Sequence, residues 1–338
     1  MHIAVYLPLL ASVGVIPAVA IALTRSLPDR LTPRHVVTIL VAAMSLLALA
    51  STSALVLLVT VAVAEIPRSA GLLGLSSRAL AVQYPWATLV GVAAGVVLLI
   101  VVARTAALVV HTAHRRRVLH RDLPNSPPRH SHGASALGEA PGPGVEVMVV
   151  EDSHPYAVAC PRLGRRQAQI IASTGMLKAL TVEQRGALLA HEHAHLRGHH
   201  HAYLTVAAFA TALNPLLAVL RRDLTYAVER CADETAAGQV GDRAIAAHAI
   251  GRAALAVLDV RRESDCTLPT GVGLLLSATA GPVPRRVAAL LSQQCDIRAA
   301  PRDVVIAAAL VLAGLLAGAA AIHATIDLFA VLRAAETR

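Results

Sequence analysis

Along the chain, polar and apolar positions separate on two scales. Four stretches are almost wholly apolar for about 20 residues or more, the length that crosses a bilayer as a helix. The first runs from about Ile3 to Leu23, the second from Val36 to Ala64, the third from Ala79 to Val110 with Arg104 inside it, and the fourth from Val304 to Ile326. The second has residues to spare, so a tilted helix is expected. Ala18-Val19-Ala20 resembles a signal cleavage site. The first run lacks a basic leader and is long for a signal core, so an uncleaved span is expected. Between the third and fourth runs the pattern changes to short alternations and helical periods. Val145–Val150, Tyr156–Cys160 and Gln169–Ala172 read as strands. Thr181 and Gln184 then form a capping box, and Gly198 follows Arg197 as the stop of the helix they open.

Leu123–Gly144 is rich in Pro, Gly, Ser and His and reads as a linker, with His130 and His132 as solvated side chains. Gly91 and Gly95, and likewise Gly314 and Gly318, are spaced to let helices approach closely. Ala202–Leu220 is apolar too, but Asn214-Pro215 interrupts it. That dipeptide is a turn signal. Tyr203–Leu213 and Leu216–Glu229 are therefore expected as a helical hairpin that dips into the membrane or packs under the spans.

Composition agrees with a membrane protein. Of the 338 residues 56% are hydrophobic and 15% charged, against about 25% charged in a soluble domain. The net charge is +9, yet aromatics are only 2%, too few for stacking on bases. Direct nucleic-acid binding is not expected. Positive charge instead marks the cytoplasmic loops. Arg25, Arg30 and Arg34 precede the second span, Glu65, Arg68 and Arg78 follow it, and Arg115, Arg116, Arg117 and Arg121 follow the third. Both termini are then expected outside, with residues 111–302 in the cytoplasm and Tyr84 and Trp86 at the outer interface. Cys160, Cys231, Cys266 and Cys295 include no CxxC pair and are expected as reduced thiols. The expected organisation is three spans in 1–110, a basic segment and linker in 111–144, a cytoplasmic domain in 145–302 with its apolar hairpin at 202–229, and a fourth span with a short tail in 303–338.

The chemistry-bearing motif is His191-Glu192-His193-Ala194-His195 on the helix opened by Thr181. Residues four apart share a helix face. Two imidazoles so spaced can converge on one Zn²⁺ at about 2.0–2.1 Å. Glu192, about 100° around the helix, can take a proton from water at the metal without being a ligand. Six histidines between His191 and His201 also make a merely polar cluster conceivable. A catalytic zinc needs a third protein ligand and an open position. Two residues offer themselves: Glu229, in an ExxxD sequence with Asp233, and His201, at the spacing of metzincins. Metzincins require a methionine turn after the zinc motif. Met1, Met44, Met148 and Met176 all precede it, which favours Glu229.

The sequences HEHAHLRG, ALNPLL and RRDLTYAVERCADE, in that order between apolar spans, resemble the BlaR/MecR-type membrane metallopeptidases of the gluzincin group. The resemblance implies a multi-pass α-helical membrane protein with an inserted α+β zinc peptidase domain. It implies His191, His195 and Glu229 as zinc ligands, Glu192 as base, and Asp233 as the partner that orients a zinc histidine. It further implies a cytoplasmic protein substrate, a winged-helix repressor of the BlaI/MecI type or the chain itself, in signal transduction. Two features depart from the family. No extracellular penicillin-binding sensor is expected after the last span, and the His199–His201 run replaces an acidic residue that follows HExxH. Lipid and protein substrate are the expected partners, with a homodimer as a further arrangement. The alternatives are an HtpX- or CAAX-type membrane protease, which has a different span order, and a non-catalytic zinc-binding signalling protein. Gln169–Ala172 is expected as a sheet edge that takes substrate as an added strand.

Overall fold

The computed structural model describes residues 3–24, 31–64, 86–122, 145–161, 167–263, 283–292 and 319. The fourth apolar run apart from Ala319, the linker, Tyr84, Cys266, Cys295 and the loop residues Arg25, Arg30, Glu65, Arg68 and Arg78 lie outside them. The chain forms two compact units. One holds the described residues up to His111 together with Thr205–Leu224; the other holds those of 112–204 and 225–298.

The first unit is helical. Its helices are α1 (Ile3–Val13), α2 (Val15–Thr24), α3 (Pro33–Ala64) and the first part of α4 (Ala87–Asp122). The first apolar run, expected as one span, is thus two helices meeting at Gly14. The i→i−4 ladder continues across the junction, with Gly14 N donating to Leu10 O and Ala18 N to Gly14 O. Helix α4 runs on past the apolar positions through the arginines expected in a loop. Within α3 and α4, Pro33–Val63 and Thr88–His114 are long and apolar enough to cross a bilayer. The α3 stretch buries much of its surface, including Leu40, Met44 and Leu47, whereas α4 leaves Leu89, Val92, Val96, Leu99 and Val102 exposed. A Cβ on Gly91 would collide with Ala62, so the α3–α4 approach uses the missing side chain at the first glycine of the Gly91/Gly95 pair.

Inside this apolar packing sits one polar knot. Pro17 has no N–H, so the Val13 carbonyl one turn earlier loses its helical partner. Asn214 Nδ2 donates to that carbonyl at 3.1 Å and to Ser51 Oγ at 2.9 Å. The Ser51 hydroxyl is shared between the carbonyls of Leu47 at 2.7 Å and Ser12 at 2.9 Å. Asn214 Oδ1 accepts from Leu216 N at 3.1 Å, which caps the 3-10 turn Pro215–Leu217. The turn expected at Asn214-Pro215 is therefore also the anchor of the hairpin tip.

The second unit contains a three-stranded sheet: β1 (Val145–Val150), β2 (Ala157–Cys160) and β3 (Ala168–Ser173). Its order is β1-β3-β2, with β1 parallel and β2 antiparallel to β3. The expectation that Gln169–Ala172 forms an edge is therefore corrected: β3 is the central strand, paired on both sides. Its alternation of side chains sends Ile170 toward the helices and Ile171 to the other face with Met148, Val150 and Val158. A strand with apolar residues on both faces fits the middle of a sheet. Helices α5 (Thr174–Ala179) and α6 (Val182–Arg197) follow. The Thr181–Gln184 capping box forms as expected, with Thr181 Oγ1 accepting from Gln184 N and Gln184 Oε1 from Thr181 N. Leu189 and Leu196 of α6 pack on Ile170 and the β1 valines. Helix α7 (His200–Leu213), the 3-10 turn and helix α8 (Ala218–Val240) form the hairpin, and α9 (Arg243–Glu263) and α10 (Val283–Leu291) complete the described elements.

Candidate metal centre

Helix α6 carries His191, Glu192 and His195; α8 carries Glu229 and Asp233. One donor atom each from His191, His195 and Glu229 lies within 4.8 Å of the others, and all three side chains are largely buried. The two Nε2 atoms are 3.1 Å apart. Glu229 places Oε2 3.6 Å from His191 Nε2 and Oε1 3.7 Å from His195 Nε2. A tetrahedral ion with bonds of about 2.0–2.1 Å separates its ligand atoms by roughly 3.3 Å. The nitrogen–nitrogen separation and the approach of each imidazole to its own oxygen of Glu229 bracket that value, so two imidazole nitrogens and the Glu229 carboxylate fit a zinc ion once His191 gives up its proton. His201, the rival ligand, is exposed and belongs to no metal-holding group among the described residues.

Behind the donors stands a charged layer. Asp233 Oδ1 lies 2.9 Å from His191 Nδ1, on an approach oblique to the ring N–H. Arg286 of α10, which the sequence reading did not single out, forks onto Asp233 through Nε at 2.7 Å and Nη2 at 2.6 Å. Its Nη1 reaches Glu229 Oε2 at 2.9 Å. Such planar two-point pairing is the geometry at which guanidinium and carboxylate interact best. Arg285 beside it stacks over the Tyr226 ring at 4.2 Å, which also ties α10 to α8.

The electrostatics follow from this layering. Burial opposes charge on Glu229, but His191, His195 and Arg286 outweigh it and hold the carboxyl down at about 2. Asp233 is likewise held at about 2 against its own burial by Arg286 and His191. Burial would also discharge His191, yet contacts with Asp233 and Glu229 carry it up to about 10. For His195 burial prevails over the attraction of Glu229 and brings it to about 3, which leaves a neutral imidazole with a lone pair. Without metal, two carboxylates therefore face one guanidinium and one imidazolium. The proton on His191 supplies the second positive charge that a bound cation would replace. Glu192, with no place in the ligand triangle, is raised, mainly by burial, while the Ala159 amide of β2 hydrogen-bonds its carboxylate. Burial also pushes the Cys160 thiol up to about 12, so it stays protonated.

The helix pair and its donor set define a metal-site architecture with a carboxylate held beside the metal position, as in metallohydrolases. The family model for peptidase family M48 matches residues 129–301, just over half of the chain. The chain belongs to peptidase family M48, a zinc metallopeptidase family. No match is found among curated proteins or among solved structures.

Arg286 escaped the sequence reading because Arg285-Arg286 in a short amphipathic stretch reads as solvated charge. The available signal was compositional: ExxxD places two acids one helical turn apart, and buried acids need a cation. His200, met in the sequence only as one of a run of histidines, is buried against His195, with the two Nδ1 atoms 2.9 Å apart.

Proposed function

We propose that the chain is a membrane-embedded zinc endopeptidase in which His191, His195 and Glu229 hold the metal, Glu192 is the general base and Asp233 orients His191. The observation that carries this reading is the triangle of two imidazole nitrogens and one carboxylate oxygen, buried on two helices within the segment that matches family M48. Zinc bound there would supply Lewis acidity toward a scissile carbonyl and toward water. Glu192 takes the proton of the attacking water and returns it to the leaving amine. A carboxyl raised by burial is a better proton acceptor near neutral pH than an exposed one. Arg286 and Asp233 keep Glu229 and His191 from turning away. Substrate backbone is best received along β2, whose Ala159 lies at Glu192 and which is an edge among the described residues.

The BlaR/MecR-like topology is the membrane arrangement that the chain supports best. It rests on three apolar runs before the peptidase segment and one after it, and on the exposed apolar flank of α4, which a bilayer would cover. In this reading the peptidase faces the cytoplasm and cleaves a winged-helix repressor or its own chain. Reporter fusions at Gly138 and Arg338 test it, with Gly138 expected inside and Arg338 outside. The opposite pattern would favour the HtpX- or CAAX-type order. Trapping with Glu192→Gln in cells, followed by comparison of substrate termini with wild type, identifies the bond cut. Zinc content decides the ligand set: Glu229→Ala should lose the metal and His201→Ala should keep it. Zinc at one equivalent without any Glu192-dependent cleavage would favour the non-catalytic signalling protein.

A further inference from the structure

The two histidines of α6 are supported differently. His191 turns its Nδ1 to a carboxylate, that of Asp233. His195 turns its Nδ1 to another imidazole, that of His200, with ring centroids 4.9 Å apart and an edge-on angle of 87°. His200 is only 3% exposed although it begins a helix next to three other polar residues.

The turn between α6 and α7 is shaped around that contact. Gly198, expected as the stop of the helix, is its C-cap, with φ −77° and ψ −2°, a backbone that any residue adopts. What the position cannot carry is a Cβ, which would run into the His200 ring, 2.6 Å from Cδ2 and nearer still to Nε2. The positive φ, 50°, falls on His199 instead. A non-glycine residue there costs of order 1–3 kcal/mol and persists only where its surroundings impose it. Glycine at 198 and strain at 199 share one outcome: the first residue of α7 folds back over the last turn of α6.

A neutral imidazole has one N–H and one lone pair. Two Nδ1 atoms at 2.9 Å hydrogen-bond only if one carries the proton and the other the lone pair. His195 must keep the lone pair of Nε2 for the ligand triangle, so its proton belongs on Nδ1. His200 Nδ1 is then the acceptor.

We propose that His200 is a positioning residue of the metal centre: its Nδ1 accepts the Nδ1–H of His195 and so fixes the tautomer and ring angle that aim His195 Nε2 at the metal. The inference rests on the zinc reading of His191, His195 and Glu229. Partners of this kind are worth about 10–100-fold in metal affinity.

The test uses the full chain in detergent and two substitutions. His200→Asn keeps an acceptor, because Asn Oδ1 stands at the same bond distance from the backbone as His Nδ1. His200→Leu keeps the branch at Cγ but has no acceptor. Zinc affinity is read by competition with a chromophoric chelator, and the site geometry by the visible spectrum after Co²⁺ substitution. Leu at 200 should weaken zinc about 10–100-fold and alter the Co²⁺ bands, while Asn should restore both toward wild type. The unfolding midpoint of the metal-free protein should change far less than the affinity. Gly198→Ala, which displaces the ring, should reproduce the Leu phenotype. Equal zinc affinity in wild type and the Leu variant overturns the role of His200 and leaves the zinc reading intact. An Asn variant no better than Leu overturns it as well. A wild-type protein that binds no zinc removes the metal reading and this inference together.

Discussion

Each unit buries one polar cluster in apolar surroundings, and the two are built on opposite terms. Around Asn214 every group is neutral and its hydrogen-bonding capacity is spent. The amide gives both N–H groups, to Val13 O and Ser51 Oγ, and takes one from Leu216. Around Glu229 most groups are charged: Arg286 pairs with Asp233 and also reaches Glu229, while the inner donor atoms contact one another through a proton that a cation can displace. Arg286 and Asp233 satisfy each other, whereas His191 Nε2, His195 Nε2 and the Glu229 carboxylate converge on a common point. A closed polar cluster fixes structure; a cluster whose donor atoms converge and can exchange a proton for a metal can bind a cation. That contrast separates an anchor from a candidate active site without reference to sequence motifs.

The comparison can be broken most severely at Arg286. Arg286→Met leaves Glu229 and Asp233 as buried carboxylates with their main cation gone, and removal of one partner from such a cluster costs about 3–5 kcal/mol. Chemical denaturation of metal-free protein in detergent should show this loss, and Asp233→Asn in the same chain should recover part of it. No change would mean that the carboxylates are solvated and the layered description is wrong. Of comparable size, but in rate alone, is Glu192→Ala, expected to cut proteolysis by about 10²–10⁴-fold. Zinc content and unfolding should stay near wild type. Zinc lost from a folded Glu192→Ala protein would make Glu192 a ligand and overturn its assignment as base.

On the neutral side the effects should be smaller. Asn214→Leu leaves the Val13 carbonyl without a donor, because Pro17 cannot supply one, at a cost of about 1–3 kcal/mol. The thermal midpoint should fall, and Pro17→Ala, which returns a helical N–H to Val13 O, should reduce the loss. If Pro17→Ala brings no recovery, the knot does not exist to serve the proline. The smallest effect concerns helix α6 itself: Thr181→Ala removes one half of its capping box and should cost about 1 kcal/mol by denaturation, with zinc affinity unaltered. A marked drop in zinc affinity would show that the helix end, and not only the layer behind it, sets the ligand triangle.

Much of the peptidase half was legible in the chain. Helix α6 could be placed from Thr181 to Gly198 because its signals are local: a capping box, a 3.6-residue period and a stop. The spacing of His191 and His195 fixes a shared face by helix geometry alone. The strands at Val145–Val150 and Ala157–Cys160 were visible as β-branched and small apolar runs. The rank of the third strand was not, since pairing order depends on which runs meet in space. Gly198 shows the same limit at a single residue: its place as a stop was readable, but the reason for it was not. The left-handed backbone falls on His199, and the missing Cβ at 198 makes room for the ring of His200.

The sequence by itself determined that two imidazoles and a carboxylate lie on one helix, that Asn214-Pro215 turns the chain, and that Glu229 and Asp233 recur one turn apart. These follow from the fixed rise and twist of a helix and from the missing N–H of proline, which act within a few residues. Only the tertiary structure decided that Glu229 meets His191 and His195, that Arg286 stands behind Glu229 and Asp233, and that His200 faces His195. Glu229 and Arg286 are 57 residues apart in sequence, joined at 2.9 Å. Nothing local ties them together: a buried carboxylate needs a cation, and the one it finds is the one that the packing of α10 against α9 brings within reach.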